Sequence, residues 1–463
     1  MLLSFALCLG MFLLIGVLSI FRNRHTTVDY LVTGHNTAPW MVALSAVATN
    51  NSGYMFVGMI GYTYTVGFAS IWLMIGWILG DFFTSLFVHR RLRQVSEQYK
   101  KVSYPGGLSQ MVHARSRWFP ALGGVITLLF LSTYAAAQLA AGGKSLQVLF
   151  GWDFRIGAAA GALIVLIYCF VGGIRASFWT DIAQSIVMIV AMASLCVVGI
   201  EQTGGWNGFV YSLRQLEPQY MYWFPSDVHG IREVVVFLLG WLGAGVAVVG
   251  QPHIMLRFLA LDNPKHIRRV RVYYYSWYTA FYGVTIVVGM LARLLLPDVG
   301  AFDPELALPK LAIELLPPVM AGLVIAGLFA ATMSTADSQI MACSATVTHD
   351  FRQDRRPSYW AVKAATISLA AFALIVAVWG HRSVFYLVLL SWSALGSAFA
   401  PLAMLAAAKK APGEKVAGLM ILAGLSGAVV GKILLPYAYE VLPGMAASFA
   451  VYLISVVYSR AKA

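Results

Sequence analysis

The sequence predicts an all-α integral membrane protein with about thirteen transmembrane helices. Hydrophobic residues make up 60% of the 463 residues and charged residues only 11%, whereas about a quarter of the residues in soluble domains are charged. A helix needs roughly 20 mostly apolar residues to cross a bilayer, and the chain contains many such runs. Basic residues gather in the connections between these runs, as they do in membrane proteins.

Each predicted span is a largely apolar run with soft boundaries. The first run resembles a secretory signal peptide in its apolarity, but it lacks a basic start, and Arg22 and Arg24 follow it directly. We therefore expect it to be a retained span. The thirteen segments lie near 2–21, 38–62, 66–89, 118–150, 155–173, 180–200, 232–257, 270–297, 312–346, 360–379, 383–407, 416–435 and 440–459.

The distribution of charge predicts how the chain lies in the membrane. Of the 32 Lys and Arg residues, 24 fall in the odd-numbered connections and the C-terminal tail, including a cluster at 257–271, whereas the even-numbered connections carry acidic residues such as Glu217 and Asp303. We expect the protein to lie in the inner (plasma) membrane. The positive-inside rule then places its N-terminus outside the cell and its C-terminus in the cytoplasm. The net charge of +13 therefore requires no nucleic-acid partner.

The spans divide into two groups of five with opposite orientation, which is the arrangement of an inverted repeat. In such repeats the binding sites lie near the middle of the membrane, where the first helix of each half is broken. The predicted division is an extra span with its linker, the first repeat, an extracellular loop, the second repeat, and two C-terminal spans, at 1–37, 38–200, 201–231, 232–407 and 408–463.

Both halves contain a candidate break. The first is the polar run Asn50-Asn51-Ser52-Gly53 in the middle of a span, and the second is Gly250-Gln251-Pro252. Gly weakens a helix by about 1 kcal/mol and Pro by about 3, and carbonyl groups freed inside a membrane need protein, water or an ion as partners. Small residues also permit close helix packing, but the polar run of the first half favours a functional break.

A second polar stretch lies inside the long apolar run 312–346. Ser334, Thr335 and Ser338 share one helical face. Hydroxyl and carbonyl oxygens suit a hard cation such as Na⁺, although hydroxyls in membrane helices also bond back to their own backbone. Asp337 favours function, because a carboxylate in mid-membrane costs about 3 kcal/mol. Asp181 is a second candidate, unless it is a first-turn carboxylate stabilised by the helix dipole.

Signals of enzymatic chemistry are weak. The sequence contains no phosphate-binding loop, HExxH motif or nucleophile elbow, and its four cysteines have no metal-ligand spacing. We expect no catalytic residues and no enzymatic activity.

Several motifs resemble those of the sodium/solute symporter family, and of its sodium/proline symporter branch in particular. The likeness runs in consistent order from about residue 28 to 400. The matching motifs are Asp29-Tyr30-Leu31-Val32-Thr33-Gly34, Leu44-Ser45-Ala46, Ser52-Gly53, Gly172-Gly173, Trp179-Thr180-Asp181, Gly250-Gln251-Pro252-His253 and Met333-Ser334-Thr335.

This resemblance implies a LeuT-like core that binds one or two Na⁺ ions. The first sodium site would comprise Ala48, Asn51, Ala331, Ser334 and Thr335. A second cation site, present in some relatives, would comprise Asp181, Ser334, Asp337 and Ser338. Asp337 stands where many relatives have a hydroxyl, so it would either strengthen a cation site or titrate and admit protons instead.

The resemblance also implies a substrate pocket between the two breaks. Tyr134 matches the tyrosine of the family's pocket, but Asn50 replaces an aspartate, Tyr54 replaces a tryptophan, and Ala244 and Val248 replace a Trp and a Tyr. Gln251 would bond either the substrate or the freed backbone. The predicted pocket residues are Asn50, Ser52, Gly53, Tyr54, Tyr134, Ala244, Val248, Gln251 and Pro252.

The predicted function is Na⁺-coupled import of a small organic solute, proline or a related amino acid, by alternating access across the bilayer. Two alternatives stay open. In the first, the protein is a symporter for another solute, pantothenate or a monocarboxylate. In the second, it is a solute sensor or channel with the same fold that does not perform coupled transport.

Overall fold

The computed structural model describes residues 1–22, 25–297, 300–351, 357–380, 383–435 and 438–462. The described part of the chain is helical, with one isolated β-bridge between Thr37 and Leu261. Eleven of its helical stretches are long and apolar enough to cross a membrane, which confirms the predicted fold class. Arg24, Asp298 and the arginines of 352–356, which contribute to the charge pattern above, lie outside the described residues.

The helices of the first half are α1 (Leu2–Leu18), α2 (Thr27–Val32), α3 (Pro39–Gly53), α4 (Ile60–Val66), α5 (Ile71–Ser85), α6 (Val88–Tyr99), α7 (Tyr104–Met111), α8 (Trp118–Phe150), α9 (Phe154–Gln202) and α10 (Gly205–Gln215). Those of the second half are α11 (Gly230–Val246), α12 (Pro252–Leu259), α13 (Ile267–Leu295), α14 (Ala307–Leu315), α15 (Pro318–His349), α16 (Tyr359–Trp379), α17 (Val384–Ala407), α18 (Glu414–Leu434) and α19 (Val441–Lys462).

Two of the eleven stretches, Pro39–Ser85 with 47 residues and Phe154–Gln202 with 49, each contain two predicted spans. A straight helix of 49 residues would be about 74 Å long, more than twice the thickness of a bilayer core. Each stretch contains a glycine with positive φ, Gly67 at +79° and Gly173 at +58°. The count of thirteen spans stays a prediction.

Both predicted breaks are interruptions of the helix. At the end of α3, Ser52 has φ 49° and ψ 177°, and a π-helical turn, Tyr54–Met59, leads into α4. At the end of α11, a 3-10 turn, Ala247–Gly250, leads to Gln251 in an extended conformation, and α12 begins at Pro252. Proline suits this first helical position because its missing N–H would have no partner there.

The two breaks meet near the most enclosed helices of the bundle. In α15 and α17, 83% of the apolar window is buried, compared with 22% in α1 and α19. The interrupted helix α3 packs against α9, α13 and α15. The polar atoms freed by the breaks therefore lie in the interior of the protein, where they need internal partners.

Candidate functional site

The first cluster joins the break in α3 to the polar face of α15. Ser334 Oγ donates to the carbonyl oxygen of Ala48 at 3.1 Å, and Thr335 Oγ1 donates to the carbonyl oxygen of Thr49 at 2.9 Å. The Ser334 hydroxyl also lies 3.1 Å from the carbonyl oxygen of Ala331. Each of these residues is fully buried. Hydroxyl and carbonyl oxygens from two helices therefore converge in a water-poor interior.

Four of the five residues predicted for the first sodium site lie together in this cluster. The fifth, Asn51, is buried nearby in the sequence, but its side-chain oxygen and nitrogen have no hydrogen-bond partner among the described residues. The predicted role of Asn51 depends on its backbone oxygen, and no contact of that oxygen in the cluster is described.

The second cluster surrounds the guanidinium group of Arg257, which projects from α12. Its Nη2 atom lies 3.1 Å from Asp337 Oδ1 and 3.4 Å from Asp181 Oδ2. The same nitrogen donates to Ser177 Oγ at 2.5 Å and to the hydroxyl of Ser338. All three charged side chains are fully buried. A cation of the chain itself therefore lies among the residues predicted for the second cation site.

This placement corrects one assignment made from the sequence. The charge pattern assigns Arg257 to the basic cluster at 257–271 in a cytoplasmic connection, but its side chain lies inside the bundle.

Asp181 is not a first-turn carboxylate, since it follows the turn at Gly173 by eight residues. Its Oδ2 atom accepts a 2.5 Å hydrogen bond from Ser45, and its Oδ1 atom has no partner in the described part of the chain.

Asp337 has the denser set of donors. Tyr168 donates to its Oδ2 atom at 2.8 Å and Ser177 to its Oδ1 atom at 2.6 Å, and the Ser338 hydroxyl lies 3.1 Å from Oδ1. Ser334, predicted for both cation sites, contributes only its carbonyl oxygen here, which accepts a 2.6 Å bond from Ser338. Hydroxyl donors from α9 thus hold the Asp337 carboxylate in place.

The predicted substrate residues of the first break lie at its inner side. Gly53 N donates to the side-chain oxygen of Gln138 at 2.7 Å, and a Cβ at Gly53 would approach Thr332 to 2.9 Å. Tyr134 donates to Ser52 Oγ over 3.4 Å. Asn50 donates to the hydroxyl of Tyr274 at 2.6 Å. The Tyr54 ring stacks on Phe385 and packs against the tilted ring of Trp77, with ring centroids 5.6 Å apart in both pairs.

The second break is hydrogen-bonded to α17. Gln251 Nε2 donates to the carbonyl oxygens of Ala247 and Trp392 at 3.3 and 3.0 Å, and Trp392 Nε1 donates to that of Ala244 at 2.9 Å. The Gln251 amide thus bonds freed backbone, one of the two roles expected for it, while its Oε1 atom has no described partner. Val248 and Pro252 are also buried.

The sequence interpretation missed several residues of the site, among them Arg257, Gln138, Tyr274 and Trp392. Gln138 had a usable signal, since it is a polar amide in the middle of the apolar run 118–150. Arg257 follows Pro252 within an apolar segment, but its position at the end of a predicted span made a cytoplasmic location equally consistent with the sequence.

An ion pair and a cavity lie next to the Phe385 ring that stacks on Tyr54, on the side of the bundle opposite α6 and α7. Lys144 Nζ lies 2.6 Å from Glu305 Oε2, and Glu305 accepts bonds from the backbone N–H groups of Val384 and Phe385, at the start of α17. A cavity of about 370 Å³ is lined by Lys144, Glu305 and Phe385. The Phe385 ring therefore separates this cavity from Tyr54.

On the side of α6 and α7, polar contacts join segments that are distant in the sequence. Thr37 N donates to the carbonyl oxygen of Ala260, and Asp262 N donates to that of Thr37, at 3.1 and 3.0 Å. Ser103 Oγ donates to Asp350 Oδ1 at 2.6 Å, just beyond the end of α15. Burial raises the pKa of Asp350 to about 7, because removal from water disfavours the charged carboxylate.

Similar proteins of known structure share this architecture. A Na⁺-coupled sialic acid symporter, solved in a substrate-bound outward-open state, superposes with a TM-score of 0.82 at 20% identity, covering 98% of this chain and 97% of its own. MHP1, a nucleobase-cation-symport-1 family transporter in a closed conformation, superposes with a TM-score of 0.60 at 14% identity, covering 92% and 94%. At these identities the likeness establishes the fold alone.

Sequence relatives extend over nearly the whole chain. The high-affinity proline transporter PutP of Bacillus subtilis is 28% identical over 458 residues, covering 96% of this chain and 95% of its own length. A sodium/proline symporter of Staphylococcus aureus is 26% identical over 481 residues, covering 96% and 91%. The sequence profile of the sodium:solute symporter family matches residues 30–417. The chain therefore belongs to the sodium:solute symporter family.

Proposed function

We propose that this protein imports a small organic solute, proline or a related amino acid, together with Na⁺. One observation carries the proposal: the hydroxyls of Ser334 and Thr335 on α15 meet the carbonyl oxygens of Ala48 and Thr49 at the break in α3. Na⁺ bound there would hold two helices of the bundle together. The names of the relatives, a proline transporter and a sodium/proline symporter, support the choice of solute.

The proposed first sodium site consists of the backbone oxygens of Ala48, Asn51 and Ala331 and the hydroxyls of Ser334 and Thr335. When Na⁺ enters, the two hydroxyl hydrogens turn away from the carbonyl oxygens that they now contact. All the ligands are neutral oxygens, so a monovalent ion suffices and no excess negative charge is buried.

The proposed substrate pocket lies between the two breaks. Its walls are Tyr134 and Tyr54, and its polar groups are those of Asn50, Ser52 and Gln251, whose Oε1 atom has no described partner. The small side chains at the second break complete the pocket. Its residues are Asn50, Ser52, Gly53, Tyr54, Tyr134, Ala244, Val248, Gln251 and Pro252.

Transport would proceed by alternating access between two inverted repeats, at 38–200 and 232–407, with the N-terminus outside and the C-terminus in the cytoplasm. The interrupted helix near the start of each proposed repeat supports this division. In this orientation the cavity above Phe385 opens to the exterior. Each positive charge that moves inward gains about 2.3 kcal/mol per 100 mV, so Na⁺ entry can drive accumulation of the solute.

The test is uptake of labelled solutes into proteoliposomes under an inward Na⁺ gradient, with proline, pantothenate and a monocarboxylate in the panel. Thr335→Ala removes one proposed ligand, so we expect at least a tenfold rise in the Na⁺ concentration for half-maximal uptake. Thr348→Ala is the matched control, since that hydroxyl also lies on α15 but contacts its own helix and His349 rather than the break in α3.

Uptake that is independent of Na⁺ and follows a proton gradient would contradict sodium coupling. Accumulation of the solute above its external concentration distinguishes a symporter from a channel, which only equilibrates the solute. A protein that binds the solute but moves none of it would be the sensor of the alternative interpretation.

A further inference from the structure

We infer that the Arg257 guanidinium is the resident cation of the second site, so that a single Na⁺ binds to this chain. The inference extends the proposed function by fixing the number of ions. Its starting point is the shell around Arg257 Nη2, which consists of Asp337 Oδ1 at 3.1 Å, Asp181 Oδ2 at 3.4 Å, Ser177 Oγ at 2.5 Å and the hydroxyl of Ser338.

Those four atoms are all oxygens, two of them from carboxylates, which is the ligand set that a hard cation prefers. The nitrogen that they surround carries part of a permanent positive charge, since an arginine is not deprotonated in proteins. The position is therefore already filled by a cation that is covalently part of the chain.

Away from Nη2, the Arg257 side chain has fewer contacts, and its Nη1 atom has no hydrogen-bond partner among the described residues. Its Nε atom donates to Thr49 Oγ1 at 3.3 Å, and the guanidinium lies 5.1 Å from the centroid of the Phe178 ring. Arg257 thereby connects α12 to α3, α9 and α15. A side chain that contacts three other helices and has no exposed surface has little freedom to leave the site for an arriving ion.

Electrostatics opposes a second Na⁺ beside the guanidinium. Two positive charges about 4 Å apart, at an effective dielectric constant of about 20, repel each other enough to weaken binding by roughly a thousandfold. Hydroxyl groups of the chain already donate to both carboxylates: Ser45 to Asp181, and Tyr168 and Ser177 to Asp337.

The test compares ²²Na⁺ bound per chain at saturation in the purified, detergent-solubilised protein and its variants. We expect one Na⁺ in the unmodified chain and two in Arg257→Gln, where the four oxygens become free to bind an ion. Arg257→Lys keeps a cation in place and is expected to bind one. Adding both Asp181→Asn and Asp337→Asn to Arg257→Gln removes both carboxylate ligands, and the second ion is then lost.

Arg257→Gln leaves two carboxylates buried without their partner, so a second variant guards against misfolding. Arg257→Gln combined with Asp337→Ser has one carboxylate and a hydroxyl, and it too is expected to bind two Na⁺. Two ions in the unmodified chain, or no gain in both variants, would overturn the inference. A gain of one ion over an unmodified chain that binds none would support Arg257 as the resident cation of the second site while contradicting the first sodium site and the proposed function.

Discussion

The carboxylate of Asp350 makes stability depend on pH. Burial raises the pKa of Asp350 from its ordinary 3.8 to about 7. The carboxyl group of the folded chain therefore holds its proton more tightly than that of the unfolded chain. The stabilisation of the folded chain by the protonated Asp350 is complete below about pH 4 and is lost as the pH rises toward 7. We expect Asp350→Asn to remove this loss, raising the free energy of unfolding near pH 8 by on the order of 2–4 kcal/mol.

Melting temperatures of the purified variants between pH 5 and 8 would measure this effect. Ser103→Ala is the comparison, because the Ser103 hydroxyl donates to Asp350 and lowers its pKa. Its removal should make the protein less stable above pH 7 and leave stability at pH 5 almost unchanged. An Asp350→Asn protein whose melting temperature falls with pH as steeply as that of the unmodified chain would contradict the prediction.

At the scale of single residues, the sequence predicted side chains that follow a helical period and missed those that join distant segments. Ser334 and Thr335 were found because their spacing on one helix can be read directly, and both face the break in α3. Arg257 was missed because its partners, Asp181 and Asp337, lie 76 and 80 residues away. Only the packing of α9, α12 and α15 brings these charges together.

Among the helices, α9 depends on a single glycine for its turn. Gly173 has φ 58° and ψ −143°, and a Cβ there would lie 2.5 Å from the carbonyl oxygen of Tyr30. We expect Gly173→Ala to lower the free energy of unfolding by at least about 2 kcal/mol, because both the backbone conformation and the contact are unfavourable for alanine. Thermal unfolding in detergent measures the loss.

Gly283→Ala is the matched control for this substitution. Gly283 lies inside α13, and apart from its chain neighbours and the adjacent backbone of its own helix, no described atom lies within 4 Å of the position that a Cβ would occupy there. Alanine at this position should therefore be neutral or slightly stabilising. Equal melting temperatures for the two variants would show that the turn in α9 does not require glycine.

The start of α17 depends on Glu305. Its carboxylate accepts from the N–H groups of Val384 and Phe385 at 3.2 and 2.8 Å and pairs with Lys144 at 2.6 Å. Glu305→Gln keeps the size of the side chain but removes its charge, leaving Lys144 with Asp303 alone. We expect amide hydrogen exchange at the start of α17 to become at least tenfold faster, since a cap and a largely buried ion pair are weakened together.

Asp303→Asn provides the control, because Asp303 pairs with the same lysine but is 45% exposed. Ion pairs of that exposure contribute about 1 kcal/mol or less, so exchange at the start of α17 should change little. Faster exchange of equal size in both variants would assign the effect to Lys144 rather than to the cap.

At the scale of elements, the sequence predicted the interruptions at Ser52 and Gln251, because polar residues and proline are costly in the middle of an unbroken membrane helix. It could not predict their geometry. A π-helical turn follows the first break, whereas a 3-10 turn precedes the second. These turns depend on partners such as Gln138 and Trp392, which come from α8 and α17.

For the whole molecule, apolar composition was sufficient to predict a helical membrane bundle, because a bilayer excludes backbone that is not internally bonded. Composition predicts the number of membrane crossings less well. Two of the long helical stretches each contain a turn, and each is one stretch in the structure but two spans in the prediction. The orientation of the bundle depends on charge alone. No contact among the described residues distinguishes one side of a membrane from the other.

Orientation can be tested with single cysteines in a chain whose four native cysteines are replaced by alanine. Ser226 is exposed in the acidic connection between α10 and α11, and Lys410 is exposed in the basic connection between α17 and α18. The positive-inside rule places the basic connection in the cytoplasm. In intact cells, a membrane-impermeant maleimide should therefore label Ser226→Cys at once and Lys410→Cys only after permeabilisation. The reverse pattern would invert the proposed topology and place the cavity above Phe385 on the cytoplasmic side.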